Sequence, residues 1–516
     1  MRSKQSKKFS FVFSTLLVAI IALAGCGQNN ASPSGSASAP ETKETASPME
    51  TSASSGTDAP SADDTKEFVK LTWYMTAPLD PRANEEKVMK DLNDRLKEKI
   101  NANVVFKFVD GATYAQKMKV AAAAGEQFDI FLDLNQLGFS QIVSGGMAME
   151  VDDLLNKYGQ DILKKVPEQA WQAVTAKGKK FGVANPSAWV SSYNISLRKD
   201  IVDKYGIDYQ SIHTYEQLEP VLQMLKEKEP NLIPFMGDFS AAMPNTMDKI
   251  SPMIGYDNLD GQWKSLLDNP EWVKVQKLQH DWYLKGYVPK KQITDYIAEF
   301  KTGKYAGSTY HIYDASFTKV STDLGTSMVS TPLDFTNYVT GSTVRSAVSY
   351  ISKTSKHPER AMMLLNLLFK DKDLFNRFCY GLEGDDWNYV SGKGTDNPTI
   401  KTKDKLEWAI WHPFIGSLWD QWPSNWNSQE VLDGLKAAID KAKYSPYVGF
   451  TFDSSPVKKE MAQIDALEPE LKTIYMAKDV DAKIAEYKEK VKKAGLDNVI
   501  AEIQKQVDAW KTADGK

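Results

Sequence analysis

The stretch FDIFLDLN, residues 128–135, decides the fold of this chain. Its run up to Leu134 is mostly apolar and carries Asp133 near its end, a pattern typical of a strand buried on both faces of a parallel sheet. Upstream, FVKLTWYM (Phe68–Met75) and NVVFKFVD (Asn103–Asp110) are rich in β-branched and aromatic residues. Both segments therefore predict strands.

Helical patterns separate these three predicted strands. In NEEKVMKDLNDRLKEKI, the apolar residues Val88, Leu92, Leu96 and Ile100 recur every four positions and predict one buried helix face. YAQKMKVAAAAGEQ predicts a second helix that stops near Gly125. The order strand, helix, strand, helix, strand indicates an α/β fold with helices covering a mainly parallel sheet. In open sheets of this kind, ligands bind beyond the carboxyl ends of the strands.

Length and composition bound the function. A chain of 516 residues is too long for one ordinary core, so we expect two or more lobes. The net charge is −4, and an acidic chain of this kind argues against a nucleic-acid partner. The two cysteines, Cys26 and Cys379, cannot build a disulfide framework or a cysteine-rich metal site.

No motif indicates a cofactor. The phosphate-binding pattern GxxxxGK[ST] and the serine hydrolase pattern GxSxG are both absent from the sequence, and no two of the five histidines have the HExxH spacing. We therefore expect no metal ion, no ATP site and no catalytic residue. A carboxylate pair in GLEGDDW could serve glycoside hydrolysis, but the same acids could instead accept hydrogen bonds from sugar hydroxyls or simply be solvated.

The first 25 residues have the pattern of a signal peptide, with four cations followed by an apolar run of residues 11–24. That run is too short to span a hydrocarbon core of about 30 Å. It ends in Leu-Ala-Gly-Cys26, which resembles the lipobox of bacterial lipoproteins and predicts a lipidated Cys26. Residues 27–66 lack Phe, Trp, Tyr, Leu, Ile and Val, so residues 26–66 are predicted to be a disordered tether.

Helix-capping residues and apolar stripes predict further helices towards the C-terminus. Thr214 and Gln217 fit a capping box, and Pro358 fits the first turn of another helix. Two apolar stripes near the end of the chain predict a pair of helices separated by Gly495. These stripes are Ile484, Tyr487, Val491 and Ala494, and Val499, Ile503, Val507 and Trp510.

Taken together, the segments resemble the bacterial extracellular solute-binding proteins of ABC importers, specifically the sugar-binding group. The resemblance rests on the lipobox and on ordered motifs over most of residues 67–380. These motifs are FDIFLDLNQLGFSQIVSGGMAMEVDDLL, KKFGVANPSAWVSSYNISLRKDIVDKYGID, HTYEQLEPVLQMLKEKEP, FKTGKYAG and ISKTSKHPERAMMLLNLLF. The segment from PYVGFTFDSSPVKKEMAQIDAL to the end is similar to the tail of LplA-like lipoproteins.

The resemblance implies a periplasmic-binding-protein-like fold, the Venus flytrap, with two α/β lobes, mainly parallel sheets and extra C-terminal helices. The expected folded body is residues 67–516. Lobe 1 would hold about 67–184 and 335–380, and lobe 2 about 185–334 and 381–516, with the tail at about 445–516. Crossings between the lobes are expected near Phe181–Tyr193 and Leu333–Ser349.

The implied function is capture of a carbohydrate, with an oligosaccharide favoured, in the cleft between the lobes. The protein would be a monomer, held by its lipid on the extracellular face of the cell membrane. It would deliver the ligand to the transmembrane subunits of an ABC permease, and it would not be an enzyme. Three alternatives stay open: a peptide receptor of an importer, a cell-surface enzyme acting on polysaccharide, and a ligand-sensing lipoprotein without transport.

A sugar cleft needs flat rings for the apolar faces of the sugar and polar groups for its hydroxyls. The candidate residues lie at predicted strand ends, in the first crossing, in and beside the acidic loop, and in a tryptophan-rich segment. They are Trp73, Tyr74, Asp133, Asn135, Trp189, Tyr310, Tyr313, Glu383, Asp386, Trp387, Trp411 and Trp419.

The tryptophan-rich segment is EWAIWHPFIGSLWDQWPSNW, residues 407–426, which holds five of the thirteen tryptophans. Pro413 and Pro423 rule out one regular helix across it, and the pattern predicts a short amphipathic helix around Phe414–Trp422. We expect most of the five rings to pack between the C-terminal helices and a lobe. Trp411 and Trp419 are the two expected to reach the cleft.

Overall fold

The computed structural model describes residues 62–76, 82–187, 189–190, 193–237, 246–311, 321, 324–403 and 406–513. The predicted signal peptide, Cys26 and nearly all of the tether lie outside these ranges, as does the candidate Tyr313. Among the described residues, no helix combines the length and the apolar character needed to cross a membrane.

The strands are β1 (Val69–Thr76), β2 (Ala102–Val109), β3 (Ile130–Asp133), β4 (Thr175–Ala176), β5 (Lys179–Lys180), β6 (Gly182–Ala184), β7 (Tyr193–Arg198), β8 (Met247–Lys249), β9 (Ile254–Asp257), β10 (Gln262–Ser265), β11 (Gly307–His311), β12 (Met328–Pro332), β13 (Tyr338–Val339), β14 (Val348–Ile351), β15 (Trp387–Ser391), β16 (Thr399–Thr402) and β17 (Lys443–Tyr444).

The α-helices are α1 (Glu85–Ile100), α2 (Tyr114–Ala123), α3 (Phe139–Ser144), α4 (Asp152–Tyr158), α5 (Gln160–Lys165), α6 (Lys199–Tyr205), α7 (Tyr215–Lys228), α8 (Pro270–Lys285), α9 (Tyr296–Phe300), α10 (Gly341–Val344), α11 (Pro358–Lys370), α12 (Lys372–Tyr380), α13 (Gln429–Lys441), α14 (Lys458–Asp465), α15 (Glu468–Leu471), α16 (Val480–Lys493) and α17 (Leu496–Ala513). Short 3-10 helices cover Ala62–Thr65, Glu168–Val174, Tyr209–Ser211, Leu266–Asp268, His412–Phe414, Leu418–Asp420, Ser455–Val457 and Ile474–Met476.

The first lobe is built on a five-stranded sheet in the order β2-β1-β3-β14-β6. β1 is parallel to β2 and β3, whereas β14 is antiparallel to β3 and β6. α1 covers this sheet with Val88, Leu92, Leu96 and Ile100, all at most 4% exposed. The strand-helix-strand-helix-strand prediction for the start of this lobe is confirmed.

The second lobe corrects the expectation of mainly parallel sheets. Its two three-stranded sheets, β11-β7-β12 and β10-β9-β8, are antiparallel throughout. The reason lies in the path of the chain. It enters this lobe at the start of β7 and leaves it after β12 at the same edge, so β12 must run opposite to β7.

The chain passes between the lobes three times within the described residues. The first crossing joins β6 to β7 and the second joins β12 to β14. The third follows β17. The second and third crossings are paired, because β13 and β17 form a parallel ladder and Ser445 donates its N–H to the Val339 carbonyl at 2.8 Å.

The assignment of residues from 381 onward to the second lobe is corrected for residues 381–444. Trp408, Ile410, Ile415 and Ile439 are all buried in the same cluster as the first sheet. Their apolar side chains cover the outer strand β2 and the helices α11 and α12, so this segment completes the first lobe. From Tyr447 onward the chain packs in the second-lobe cluster, except that Val448 is buried in the first.

The C-terminal helices pack against the second lobe as their sequence pattern predicts. Ile484, Tyr487 and Val491 of α16 are buried there, as are the first three members of the α17 stripe. The predicted capping box of α7 is present, with the Thr214 side chain accepting from the Gln217 N–H. Pro358 begins α11 as expected.

Candidate functional site

The two lobes face one another through the edges of their main sheets. In the first sheet, β1, β2, β3 and β6 all end at one edge, where β14 begins. In the second, β7 begins where β11 and β12 end. Because the first two crossings join these two edges, the space between them is the interlobe cleft. This cleft lies beyond the carboxyl ends of the first-lobe strands, where ligands bind in open α/β sheets.

Asp133 shapes the first-lobe side of this cleft. Its Oδ1 accepts backbone N–H groups from Gln136 and Leu137, both at 3.0 Å, and this holds the loop that leads into α3. Burial raises the pKa of the Asp133 carboxyl, and these hydrogen bonds oppose the shift. The loop turns at Asn135, whose φ of 59° is left-handed, and this conformation places Asn135 in the cleft.

A pocket of about 190 Å³ lies at the hinge end of the cleft; we call it the hinge pocket. Both lobes and two crossings line it. Its residues are Asn135, Gly138, Phe139, Ser140 and Gln141 of the first lobe, Asp248, Lys249, Ile250 and Trp263 of the second, Ser342 and Arg345 of the second crossing, and Tyr447, Phe450, Thr451 and Phe452 of the third.

Charged residues of opposite sign, Asp248 and Arg345, line the hinge pocket. Asp248 is 6% exposed, and burial raises the pKa of its carboxyl to about 6, against the opposing effects of Arg345, Ser445 and Gly341. Arg345 donates from Nη1 to the Ala173 carbonyl of the first lobe at 3.0 Å. This arginine is thus hydrogen-bonded to the backbone of the first lobe and acts electrostatically on an acid of the second.

The fold brings several candidates together at the facing edges. Asp133 ends β3 and Asn135 follows it, Trp189 lies in the first crossing, and the backbone of Tyr310 pairs with Asn194 of β7 at the second-lobe edge. Trp189 is 1% exposed and packs in the first-lobe core, so its ring is covered in this conformation.

Trp73 and Tyr74 lie inside the first lobe rather than at its edge. β1 continues to Thr76, two residues beyond Tyr74, so neither residue ends the strand. Trp73 is fully buried with its ring 5.5 Å from that of Phe106. The Tyr74 hydroxyl donates to Glu126 at 2.6 Å. The prediction that these two residues end the strand is therefore wrong, because the strand is longer than its pattern suggested.

The acidic loop is organised by contacts within the first lobe. Asp386 is fully buried, accepts the Leu382 N–H at 2.9 Å and accepts from the Asn84 side chain at 3.2 Å. Trp387 is also fully buried, edge-on to the ring of Trp422 at 5.4 Å. Glu383 pairs with Lys393 at 2.6 Å on the surface. None of these groups is placed as a facing carboxylate pair.

The tryptophan-rich segment departs from its prediction. Two short 3-10 helices, His412–Phe414 and Leu418–Asp420, replace the amphipathic helix expected around Phe414–Trp422. The segment instead follows the cleft-facing edge of the first lobe, from the ring of Phe108 at the end of β2 to Pro186 just after β6, whose carbonyl accepts the Leu418 N–H at 2.9 Å.

The rings of this segment divide into buried and half-buried groups. Trp408 and Trp422 are at most 2% exposed and fill first-lobe clusters rather than a contact with the C-terminal helices. Trp411 and Trp419 keep part of their surface in solvent, as does Trp426, whose ring lies 6.1 Å from that of Trp411. Trp411 and Trp419 are therefore half-buried, and neither is among the residues that line the pocket described above.

The described residues contain no group of three or more His, Cys, Asp or Glu side chains placed to hold a metal ion. Cys379 is a buried thiol whose pKa is raised by burial, which makes the reactive thiolate unfavourable.

Comparison with known families matches residues 82–375, more than half of the chain, to the bacterial extracellular solute-binding proteins. The chain belongs to this family. Its members bind solutes and are not enzymes, which confirms the prediction made on that point. Residues 446–512 match a domain of unknown function, DUF3502, in the segment where an LplA-like tail was expected.

Relatives of this solute-binding protein share most of its length. A carbohydrate ABC transporter substrate-binding protein of Streptococcus pneumoniae serotype 4 is 27% identical over 444 residues, covering 83% of this chain and 88% of the relative. The crystal structure of an N-glycan transport solute-binding protein from S. pneumoniae is 25% identical, with a TM-score of 0.72 over 86% of this chain and 99% of that one.

A more distant structure shares the fold alone. A human-milk-oligosaccharide-binding solute-binding protein from Bifidobacterium longum infantis has a TM-score of 0.59 at 17% identity, over 86% of this chain and 99% of that one. The predicted two-lobe α/β fold of the periplasmic-binding-protein type is confirmed by these likenesses.

Sequence reasoning missed the residues that converge on the hinge pocket. Arg345 lies within the predicted second crossing, and a lone arginine among small and apolar residues in VTGSTVRSAVSY was the available signal. Asp248, Trp263 and Thr451 carry no comparable signal. Their neighbours in sequence are unremarkable, and only the approach of β8, β10 and the third crossing brings them together.

Proposed function

We propose that this protein captures an oligosaccharide in the interlobe cleft and delivers it to an ABC permease. Two relatives support this assignment, since one carries the name of a carbohydrate ABC transporter substrate-binding protein and the other that of an N-glycan transport protein. Crystal structures of the latter with Man1GlcNAc and Man5GlcNAc match this chain at TM-scores of 0.64 and 0.62.

The observation that carries the proposal is the composition of the hinge pocket. Aromatic rings of Phe139, Trp263 and Phe450 line it together with the polar groups of Asn135 and Asp248. Rings that cover the C–H face of a sugar and polar groups that reach its hydroxyls are the two elements of a saccharide site. Because the walls come from both lobes, a bound ligand stabilises the closed arrangement.

Anchoring and delivery extend this proposal. Lipidation of Cys26 would hold the protein on the extracellular face of the membrane. Two or more acyl chains on this residue would make the anchoring stable. The tether of residues 27–66 would then let the two lobes reach the permease subunits. The protein would act as a monomer. The family description already makes the protein extracellular.

A ligand screen tests the proposed function. The chain from Gly27 to Lys516 is purified and its melting temperature measured with mannose-containing N-glycan fragments, human-milk oligosaccharides, maltooligosaccharides and short peptides. A ligand at 100 times its Kd adds about 2.7 kcal/mol to the free energy of unfolding. Stabilisation by a glycan supports the proposal, whereas stabilisation by peptides alone assigns the protein to the alternative class of peptide receptors.

A further inference from the structure

The third crossing, residues 445–453, is packed between the two lobes. Tyr447 and Phe450 are buried in the second-lobe cluster, whereas Val448 between them is buried in the first-lobe cluster. These residues begin the DUF3502 match, which covers residues 446–512 and continues into the C-terminal helices α14 to α17. The part of the chain whose role is unknown is therefore continuous with a segment on which the lobes turn.

The last helix, α17, holds the end of this crossing through Gln506. The Gln506 Oε1 accepts the Asp453 N–H at 2.9 Å, and its Nε2 donates to the Asp453 carbonyl at 2.8 Å. One side chain thus satisfies both backbone groups of one residue, as an opposite residue does in an antiparallel ladder. This pair of hydrogen bonds fixes the position of the crossing relative to α17.

Aromatic rings join the same crossing to α17 and to the sheet of β8, β9 and β10. The ring of Trp510 in α17 lies 6.1 Å from that of Tyr447 and 5.8 Å from that of Phe450. The same two rings contact the sheet, since Tyr256 lies 4.4 Å from Tyr447 and Trp263 lies 5.6 Å from Phe450. Ring pairs at these separations attract one another beyond the effect of their burial. Tyr447 and Phe450 are therefore fixed to the second lobe by the tail.

The contacts of the crossing with the first lobe and with the second crossing are equally close. A Cβ atom at Gly449 would lie 3.1 Å from the carbonyl oxygen of Gln172 in the first lobe and 3.4 Å from the ring of Trp510. A Cβ atom at Gly341 of the second crossing would lie 2.5 Å from the Val448 carbonyl oxygen. Interiors packed this closely transmit displacement instead of absorbing it. When the second lobe rotates, the crossing must therefore move Val448 against the core of the first lobe.

We propose that the DUF3502 tail is a hinge brace, which uses Gln506 and Trp510 to fix the third crossing to the second lobe and so limits how far the lobes can rotate. With the brace in place, rotation draws Val448 out of the first-lobe core, and the loss of that burial opposes the motion. Without it, the crossing can stay on the first lobe while the second lobe turns away. This role goes beyond the proposed function, because it does not depend on which solute the cleft takes.

Distances between the lobes in the ligand-free protein test the brace. The chain from Gly27 to Lys516 is labelled at the exposed positions Glu98→Cys of α1 and Glu227→Cys of α7, since its own Cys379 is buried. Pulsed electron paramagnetic resonance then gives the distribution of distances. Gln506→Ala and Trp510→Ala should each widen this distribution. With the best glycan of the screen, each should also raise the Kd about threefold to fivefold, because fewer molecules hold the arrangement that binds.

Two variants of the tail serve as matched controls. Gln504→Ala removes the same side chain from the same helix two residues earlier, where it donates to Asp508 of α17 at 2.8 Å. Val491→Ala leaves a cavity under α16, which packs against α8, and so lowers the stability of the tail without changing Gln506 or Trp510. Both controls should keep the wild-type distribution of distances.

Two results would overturn the brace. One is a wild-type distribution in the folded variants Gln506→Ala and Trp510→Ala. The other is equal widening in Val491→Ala, because the tail would then act only through the stability of the second lobe. The distance measurement needs no ligand, so it decides the matter even if no saccharide binds. Failure of the brace and failure of the proposed function are therefore distinguishable.

Discussion

The tryptophan-rich segment of residues 407–426 and the hinge pocket are opposites in sequence and in structure. The segment concentrates five tryptophans in twenty residues, yet Trp408 and Trp422 are buried inside the first lobe. The hinge pocket has one tryptophan, Trp263, and draws its other residues from distant parts of the chain. In the segment, Trp408 donates its N–H to the Phe378 carbonyl at 2.9 Å, whereas the Trp263 N–H has no partner among the described residues.

The difference teaches that aromatic density along a sequence reports burial more readily than binding. A local run of rings can be covered by one lobe, because neighbouring elements of that lobe supply the apolar contacts. A ligand site in this fold needs groups from both lobes, so its residues come from distant parts of the chain. Stability should therefore depend on the segment, and affinity on the pocket.

The largest expected effect is on stability, in Trp408→Ala. Trp408 is fully buried and its ring lies within 6.4 Å of the rings of Phe106 and Phe108. Truncating a buried tryptophan should lower the free energy of unfolding by about 3–5 kcal/mol. Denaturant unfolding measures this change, and titration of the fraction that remains folded should give an unaltered Kd. A loss below about 1 kcal/mol would contradict the structural role of this ring.

Next in size is the pH dependence of stability at Asp248. Its pKa is raised from 3.8 to about 6 in the folded protein, chiefly by burial. Between those values the folded chain retains a proton that the unfolded chain has lost, so this group makes stability fall as pH rises from 4 to 6. The full contribution is about 3 kcal/mol, from roughly two pKa units.

Asp248→Asn should remove that slope. Its free energy of unfolding, relative to wild type, should increase by up to about 3 kcal/mol between pH 4 and pH 7. Unfolding curves of both proteins at several pH values check this. A variant that is more stable at pH 7 and binds glycan less tightly would show that the buried Asp248 carboxylate lowers the stability of the fold and strengthens ligand binding. Parallel pH curves for the two proteins would show that Asp248 does not titrate in this range.

A smaller effect of opposite sign is expected at His412 in the tryptophan-rich segment. The ring is buried between Phe375 and Tyr380, with centroids at 5.3 and 4.4 Å, and burial lowers its pKa from 6.5 to about 3. Below pH 6.5 the unfolded chain takes up a proton that the folded chain refuses, so stability is lost as pH falls. At pH 5 the loss is about 2 kcal/mol.

His412→Phe should lack this acid loss. The difference in unfolding free energy between variant and wild type should grow in favour of the variant by about 2 kcal/mol from pH 8 to pH 5. Chemical unfolding at the two pH values measures it, and glycan affinity at pH 8 serves as the control. If both proteins lose the same stability on acidification, the histidine is not held neutral.

Sequence periodicity predicted the parts of the fold that are governed by local burial. The stripe at Val88, Leu92, Leu96 and Ile100 determined α1 because one helix face must be covered by the sheet. The antiparallel second lobe could not be predicted in this way, since the direction of β12 depends on where the chain leaves the lobe. The covering of the first lobe by residues 381–444 likewise follows from long-range contacts.

For the candidate site, sequence reasoning found a location but few of the groups. Asp133 and Asn135 were placed at the cleft because strand ends in α/β sheets share an edge. Trp73 does not lie at the cleft, because β1 continues beyond it to Thr76. Asp248 and Trp263 could not be predicted, because nothing in the sequence around them indicates a residue that faces the other lobe.

The smallest expected effect concerns the half-buried ring of Trp411 in the tryptophan-rich segment. If its ring, beside Trp426 at 6.1 Å, covers a sugar further along the cleft, Trp411→Ala should weaken a long glycan by about 1 kcal/mol, or about fivefold in Kd. The same variant should leave unchanged the affinity for a short glycan that extends little beyond the hinge pocket. Titrating both glycans against the variant and wild type separates the two regions. An equal loss for both lengths would mean that Trp411 acts on the pocket itself or on the fold, and the division between a structural segment and a binding pocket would have to be redrawn at that residue.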